Sequence, residues 1–209
     1  EVGLDGAWVR VHHFEESHAS PMPLLAAMAA VTSRIDVGTG VVDLRYENPL
    51  HLAEQAAATD LISGGRLQLG VSRGSPEQAV DGQRQFGYRL SDGESWADHA
   101  QAKAARFRRA IAGEPVAHSA EAQAAGEGPD LPIRPLSPGL PDRIWWGAGS
   151  AESGIWTAEQ GMNLLSSTLL LADDGRPFHV QQAAQVRGYR RVFHRLGHPG
   201  PGWAAVTRP

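Results

Sequence analysis

The chain has 209 residues, of which 42% are hydrophobic and 20% are charged, values typical of a folded globular domain. Its formal net charge is -4 and no basic stripe is present, which argues against a nucleic-acid partner. Cysteine is absent, so disulfides, iron–sulfur clusters and thiolate zinc sites are excluded. Neither a signal-peptide pattern nor an apolar run of membrane-spanning length is found, so we expect a soluble, cytoplasmic protein without a membrane partner.

Strand-like runs alternate with amphipathic helices along the chain. A polar residue followed by proline, at Ser20-Pro21 and Asn48-Pro49, is typical of a helix N-cap and first turn, so a helix is predicted at each. Gly64-Gly65 is predicted to end the second of these helices. Further helices are predicted over 94–112, 150–161 and 180–196. Strands are predicted over 8–14, 35–42, 67–74, 143–146, 163–171 and 203–207.

This alternation predicts a parallel sheet with helices outside it, because parallel strands need crossover connections. Periodicity alone does not separate a closed barrel from an open, doubly wound sheet. The segment 114–142 is rich in Ala, Gly and Pro and shows little periodicity, so we expect an irregular insertion there. A chain of this length holds one substantial core, and we therefore expect a single domain over 1–209.

Two adjacent histidines stand at the end of the first predicted strand, after Arg10 and Val11. Adjacent strand residues face opposite ways, so only one of His12 and His13 is expected to face a pocket. Polar residues at the carboxyl end of a barrel strand lie where barrel enzymes do chemistry. The alternative is one core histidine and one surface histidine. A zinc pair would need further ligands that the neighbouring strand ends do not supply, so no metal site is expected.

Two further segments could bind an anion. Arg73, between a strand and Gly74, could reach a phosphate with its planar guanidinium, or could be a solvated loop residue. A tight turn leads from the fourth strand into a helix that begins near Ser150, and a helix start favours an anion. Ser150 and Ser153 can both place hydroxyls near its first turn, although Ser150 could instead be only an N-cap.

The same turn also imitates a dinucleotide-binding fingerprint. Gly147 and Gly149 follow a strand and precede a helix, and Asp173 comes after the next strand. The third small residue of that fingerprint would fall at position 152, where the carboxylate of Glu152 would repel a pyrophosphate. An NAD(P)-dependent dehydrogenase is therefore kept as an alternative interpretation.

Taken together, several segments resemble the luciferase-like flavin monooxygenase family. Their order and spacing over about seventy residues are more specific than any one of them, and a weaker likeness runs from Arg143 to Thr207. The segments are WVRVHHF (8–14), ASP (19–21), LLAA (24–27), TSRIDVGTGVV (32–42), YENPLHLAE (46–54), DLISGGRL (60–67) and GVSRG (70–74).

The resemblance implies a (β/α)8 TIM barrel with the flavin at its carboxyl-terminal mouth. Only six strands are predicted, so we expect the barrel to be incomplete at both ends in this chain. The resemblance implies that His12 is the catalytic base near the flavin ring, with His13 as a weaker candidate. It also implies that segment 114–142 corresponds to a variable insertion that often covers the substrate.

The resemblance implies cofactor contacts as well. Gly40 and Val41 match the place where the backbone passes under the isoalloxazine, and Ser72 matches a residue beside the reactive ring edge. Phosphate contacts are implied for Arg73, Ser150 and Ser153.

The implied activity is oxygenation of a small organic substrate with reduced FMN and O2. The resemblance further implies a partner flavin reductase and a homodimer. The family also includes users of the deazaflavin F420, which is the alternative cofactor. A non-catalytic flavin-binding subunit is the alternative function.

Overall fold

The computed structural model describes residues 3–16, 19–75, 77–168 and 174–207, and six strands of this part form one parallel sheet. In chain order the strands and α-helices are β1 (Gly6–Val9), α1 (Pro21–Ala30), β2 (Asp36–Asp43), α2 (Pro49–Ser63), β3 (Leu67–Ser72), α3 (Trp96–Ile111), β4 (Pro115–Ala117), α4 (Ala120–Ala125), β5 (Leu131–Pro132), β6 (Ile144–Ala148), α5 (Ala151–Glu159), β7 (Asn163–Ser166), α6 (Phe178–Arg195) and β8 (Ala204–Val206). Short 3-10 helices span Gly82–Phe86 and Leu140–Arg143.

The strand order distinguishes a barrel-like sheet from a doubly wound sheet, which the periodicity of the sequence does not. The sheet runs β1-β2-β3-β6-β7-β8, so consecutive strands of the sheet are always neighbours and the order never reverses. A doubly wound sheet reverses its order at a switch point, whereas a TIM barrel does not. Within the described residues β1 and β8 do not pair, so the sheet is an open, six-stranded part of a barrel-like arrangement.

The ends of α2 agree with the sequence prediction. Asn48 caps the helix with its side-chain oxygen, which accepts hydrogen bonds from the backbone N–H groups of Leu50 and His51 at 2.9 and 3.3 Å. Gly64 ends the helix with a φ of 69°, a left-handed conformation that glycine adopts without a Cβ penalty. Ser20 behaves differently, because it precedes α1 without making a side-chain cap hydrogen bond. Proline at the first helical position is the part of that prediction that the structure confirms.

Two predicted strand ends and the predicted irregularity of one segment are corrected by the structure. β1 ends at Val9, where its pairing with β2 stops, and 10–14 continue without strand structure. β7 ends at Ser166, and 169–171 of its predicted range lie outside the described residues. The segment 114–142 is less irregular than expected, since it contains the antiparallel pair of β4 and β5 and the short helix α4. Elements of two to six residues hold too few periods to produce a hydrophobic pattern.

A buried carboxylate joins three parts of the fold at the amino-terminal side of β3. Asp60 in α2 is fully buried, and its Oδ1 accepts a hydrogen bond from the backbone N–H of Leu67 at 3.1 Å. Its Oδ2 accepts from Ser137 Oγ at 2.7 Å and from Arg143 Nη2 at 2.6 Å. Asp60 therefore fixes the end of the 114–142 segment against α2 and β3, at the edge of the sheet opposite its carboxyl-terminal end.

We expect Asp60→Ala to lower the free energy of unfolding by about 3–5 kcal/mol, because removing one partner of a buried ion pair leaves the other groups desolvated. Denaturant unfolding followed by circular dichroism measures this change. Asp174→Ala is the matched control, since Asp174 pairs with Arg176 on the surface, and it should leave the midpoint nearly unchanged. Similar small effects of both substitutions would contradict the structural role of Asp60.

Candidate functional site

A cavity of about 1130 Å³, called here the strand-end cavity, opens at the carboxyl-terminal edge of the sheet. Residues at the ends of β1, β2, β3, β6 and β7 contribute to its wall, because parallel strands bring their carboxyl ends to the same edge. All of the predicted site residues except one line it, namely His12, Gly40, Val41, Ser72, Arg73, Ser150 and Ser153. The exception is His13. Residues separated by more than a hundred positions in the sequence are thus brought together.

The two histidines do face different surroundings. His12 lines the strand-end cavity with 14% of its side chain exposed, and its Nδ1 lies 3.6 Å from Glu15 Oε1. His13 turns away from the cavity and stacks on Tyr46, with ring centroids 4.2 Å apart, and Phe86 contacts it edge-on at 5.0 Å. The separation arises in the turn after β1 rather than from strand alternation. His13 is therefore a packing residue of an aromatic cluster in this structure.

Burial lowers the pKa of His13 from its ordinary value of 6.5, and the negative charge of Asp43 opposes this shift. The neutral imidazole is thus the form that its position beside Tyr46 favours.

The floor of the cavity is an irregular stretch of β2. The pairing register of β2 and β3 shifts between Thr39 and Val42, and the Gly40–Val41 peptide bond is cis. Gly40 is exposed in the cavity. The only atom within 4 Å of a Cβ added at Gly40 would be Leu165 Cδ2, at 3.8 Å. The absence of a side chain at Gly40 leaves backbone exposed to the cavity, where a flat ligand can approach it closely.

The first turn of α5 forms another wall. Ser150 is its N-cap, and its Oγ accepts a hydrogen bond from Ser153 N at 3.2 Å. Ser153 Oγ accepts from Trp146 Nε1 at 3.1 Å, which fixes the second hydroxyl beside the first. The helix start adds the positive end of its dipole, so this wall favours an anion. Ser150 is a cap, as predicted, and the same hydroxyl lines the cavity.

A side chain that the sequence did not reveal holds this turn in place. Gln185 of α6 donates from Nε2 to the carbonyl oxygens of Ala148 at 3.1 Å and Ser150 at 2.7 Å. Its Oε1 accepts from Ser166 Oγ at 2.6 Å. Because both carbonyl oxygens accept hydrogen bonds from Gln185, their partial negative charge beside the helix start is partly compensated. No local signal marks Gln185, because its partners lie 19 to 37 positions away.

A second group missed by the sequence lies at the end of β2. Asp43 lines the strand-end cavity and forms an ion pair with Arg45, with Arg45 Nη2 and Asp43 Oδ2 2.5 Å apart. Glu77 also lines the cavity, and its carboxylate accepts a hydrogen bond from the hydroxyl of Tyr46. Burial raises the pKa of Asp43, and the hydrogen bonds from Arg45 oppose the shift.

The segment 114–142 has no part in the cavity wall within the described residues. It is held at the other edge of the sheet by Asp60, so it does not cover the cavity in this structure. The first two turns of α3 lie there instead, with Ala97, Asp98 and Gln101 in the wall. Among the described residues, no group of three or more His, Asp or Glu side chains is arranged to hold a metal ion.

The sequence matches the family model described as luciferase-like monooxygenase over residues 1–194. The chain belongs to this family. Among characterised relatives, the oxygenase component of flavin-dependent trigonelline monooxygenase from Acinetobacter baylyi is 39% identical over 75 residues, which are 35% of this chain and 21% of that protein.

Solved structures share the fold. Monooxygenase RslO1 from Streptomyces bottropensis has a TM-score of 0.74 at 24% identity, covering 98% of this chain and 59% of that chain. The oxygenating constituent of 3,6-diketocamphane monooxygenase from Pseudomonas putida, in complex with FMN, has a TM-score of 0.68 at 19% identity, covering 98% and 57%. Coenzyme F420 dependent tetrahydromethanopterin reductase from Methanopyrus kandleri has a TM-score of 0.67 at 20% identity, covering 98% and 57%.

These likenesses support a TIM-barrel-like fold, and the chain spans little more than half the length of the structures it matches. The closed, eight-stranded barrel stays a prediction, as does the single domain over 1–209.

Asp173, invoked in the dinucleotide alternative, lies outside the described residues. None of the helices in the described part of the chain combines the length and apolar character needed to cross a bilayer.

The surroundings of His13 predict a pH effect on stability. Its pKa in the folded protein lies below 6.5, so the unfolded chain binds the proton first as pH falls, and stability is lost below about pH 6.5. His13→Phe keeps a ring against Tyr46 and removes the titration. Urea unfolding from about pH 7 to about pH 5 should therefore show a smaller loss of stability in His13→Phe than in the parent.

His51→Phe is the control for this experiment, because His51 is exposed on α2. It should keep the parent's pH dependence. Parallel pH profiles for the parent and His13→Phe would contradict the role of burial at His13.

Proposed function

We propose that the chain provides the flavin site of a monooxygenase that uses reduced FMN and O2 to oxygenate a small organic substrate. The observation that carries this proposal is the convergence of His12, Gly40, Arg73 and Ser150, from separate strand ends, on one cavity. Family membership supports an oxidoreductase. The dehydrogenase alternative is weakened, because the position of the third small residue in the dinucleotide fingerprint holds Glu152 and the matching family model is that of a monooxygenase.

The cavity fits a flavin mononucleotide in size and in the chemistry of its two ends. Its volume of about 1130 Å³ is sufficient for a cofactor together with a small substrate, since most ligand pockets hold about 300–1,000 Å³. Gly40, Val41 and Ser72 would hold the ring, because the backbone at Gly40 is exposed in the cavity. Arg73, Ser150 and Ser153 would hold the phosphate, through a guanidinium, two hydroxyls and a helix start.

A bound flavin would supply two-electron transfer and the activation of O2. The protein's own residues would bind and orient it. His12 carries the only imidazole among the described side chains that line the cavity, so we assign it the movement of a proton at the substrate or the ring. His13 is outside the cavity wall, and we therefore assign it no catalytic role.

FMN is proposed over F420 because the matching family model and the trigonelline relative are of the monooxygenase type, and a monooxygenase among the structural neighbours is in complex with FMN. The F420-dependent structural neighbour keeps F420 as the second candidate. The relative named as an oxygenase component supports a separate flavin reductase as partner. A homodimer and a cytoplasmic location are part of the proposal and rest on the resemblance to the family.

Flavin titration of the full-length protein tests the phosphate site. Arg73→Ala should weaken FMN binding by about tenfold or more, because a charge-assisted hydrogen bond contributes about 1.5–3 kcal/mol. Binding of riboflavin, which lacks the phosphate, should change little. Arg84→Ala, at a surface ion pair with Asp81, is the control and should change neither affinity. Equal weakening of FMN and riboflavin by Arg73→Ala would contradict the assignment.

Turnover measurements test the proton-transfer role. His12→Ala should lower the rate at saturating FMN and substrate by about a hundredfold or more, the usual range for loss of a general acid or base. Its FMN affinity should stay within about threefold of the parent, since His12 is not assigned to the phosphate. Steady-state oxygen consumption and flavin titration give the two quantities. Loss of affinity without loss of rate would reverse the assignment.

A further inference from the structure

Arg45 lies between two carboxylates at the carboxyl end of β2, with 16% of its side chain exposed. Its Nε donates to Asp43 Oδ1 at 3.1 Å and to Oδ2 at 2.9 Å, and its backbone N–H donates to Oδ1 at 2.9 Å. Its Nη2 lies 2.5 Å from Asp43 Oδ2 and 3.6 Å from Glu77 Oε2. The side chains of Asp43 and Glu77 are 7% and 5% exposed, so the group is largely removed from solvent.

Arg45 also holds the loop after β3. Its Nη2 donates to the carbonyl oxygen of Ser75 at 2.8 Å. The same loop is held at Glu77, which accepts a hydrogen bond from the hydroxyl of Tyr46. Ser72 is held to the end of β2 by backbone pairing, where its carbonyl oxygen accepts from Leu44 N at 3.0 Å, and Ser75 is held there by the side chain of Arg45.

The loop passes very close to this ion pair at Gly74. A Cβ at Gly74 would lie 2.2 Å from Asp43 Oδ2 and 2.5 Å from Arg45 Nε, and the φ of Gly74 is +91°. Only glycine fits this conformation and this contact. On the other side of Arg73, the hydroxyl of Ser72 accepts a hydrogen bond from the backbone N–H of Gly74 at 2.9 Å.

The two arginines have different electrostatic surroundings. The charge of Arg45 is compensated by Asp43 and Glu77, so Arg45 has little capacity left for a phosphate. Arg73 makes no ion pair with any described residue, and it lines the strand-end cavity. A guanidinium held by a bidentate carboxylate is a rigid support, because its planar fork fixes both partners.

We propose that Asp43, Arg45 and Glu77 form a clamp that positions Arg73 for the phosphate of the cofactor. This inference rests on the flavin site proposed above. Arg45 is thus a positioning residue, acting through the Ser72–Ser75 loop. If the clamp only stabilised the fold, its loss would weaken the binding of FMN and riboflavin alike. Because it positions Arg73, the preference for FMN over riboflavin should depend on Arg45 only through Arg73.

A double-mutant cycle on the full-length protein tests this dependence. Affinities for FMN and riboflavin are measured for the parent, Arg45→Met, Arg73→Ala and the double variant. We expect Arg45→Met to reduce the FMN preference by about fivefold or more, and the double variant to match Arg73→Ala alone, because coupled residues are not additive. Arg45→Lys keeps the charge but lacks the fork, and it should resemble Arg45→Met. Arg84→Met is the matched surface control and should keep both affinities.

Removing Arg45 alone leaves two buried carboxylates unpaired, so the variant could unfold. The paired change Asp43→Asn with Arg45→Gln removes both charges of the closest pair and gives a second test, with the same expected loss of FMN preference. Circular dichroism and thermal unfolding establish that each variant is folded. An unchanged FMN preference in folded Arg45 variants, or full additivity with Arg73→Ala, would overturn the clamp.

The same data separate this failure from a failure of the proposed function. If the parent shows no preference for FMN over riboflavin, or Arg73→Ala leaves that preference intact, both the flavin phosphate site and the clamp are overturned. If the parent and Arg73→Ala behave as expected and Arg45→Met behaves as the parent, only the clamp is overturned.

Discussion

Parallel pairing of consecutive strands is the constraint on which the site depends. Because β1, β2, β3, β6 and β7 run in the same direction and in chain order, their carboxyl ends meet at one edge. The strand-end cavity is lined by residues at and just beyond those ends. His12, Gly40, Arg73 and Ser150 therefore line the same cavity although they are far apart in the sequence. The alternation of strands and helices in the sequence leads to this arrangement, because a helical crossover returns the chain to the start of the next parallel strand.

A polar network lies at each edge of the sheet. The one at the amino-terminal edge supports the fold, and the one at the carboxyl-terminal edge lies beside the cavity. At the amino-terminal edge, Asp60 joins α2, β3 and the end of the 114–142 segment, and it is not part of the strand-end cavity. At the carboxyl-terminal edge, Asp43 and Arg45 join the end of β2 to the loop carrying Arg73, beside the cavity. Gln185 plays the corresponding part for the turn before α5. This division agrees with the general separation of stability and chemistry in barrel folds.

The sequence predicted those features of the fold that depend on residues close together in the chain. The six strands and the cap of Asn48 arise from local periodicity and local hydrogen bonds, and the structure confirms them. The end of β1 at Val9 was not predictable, since it depends on where β2 stops pairing. The contact of Gln185 with Ser150 and that of Arg45 with Ser75 were equally hidden, because they depend on how elements 30 or more positions apart pack together. His12, Arg73, Ser150 and Ser153 were candidates from their positions at predicted strand and helix ends, whereas Gly40, Val41 and Ser72 were named only from family resemblance.

The central claim, that the strand-end cavity holds FMN with its phosphate at the start of α5, is tested most directly by a crystal structure of the full-length protein with FMN. We predict the phosphate within hydrogen-bond distance of Ser150 Oγ and the guanidinium of Arg73, and the ring against the backbone of Gly40 and Val41. Flavin density outside this cavity, or a phosphate directed away from Ser150 and Arg73, would contradict the account.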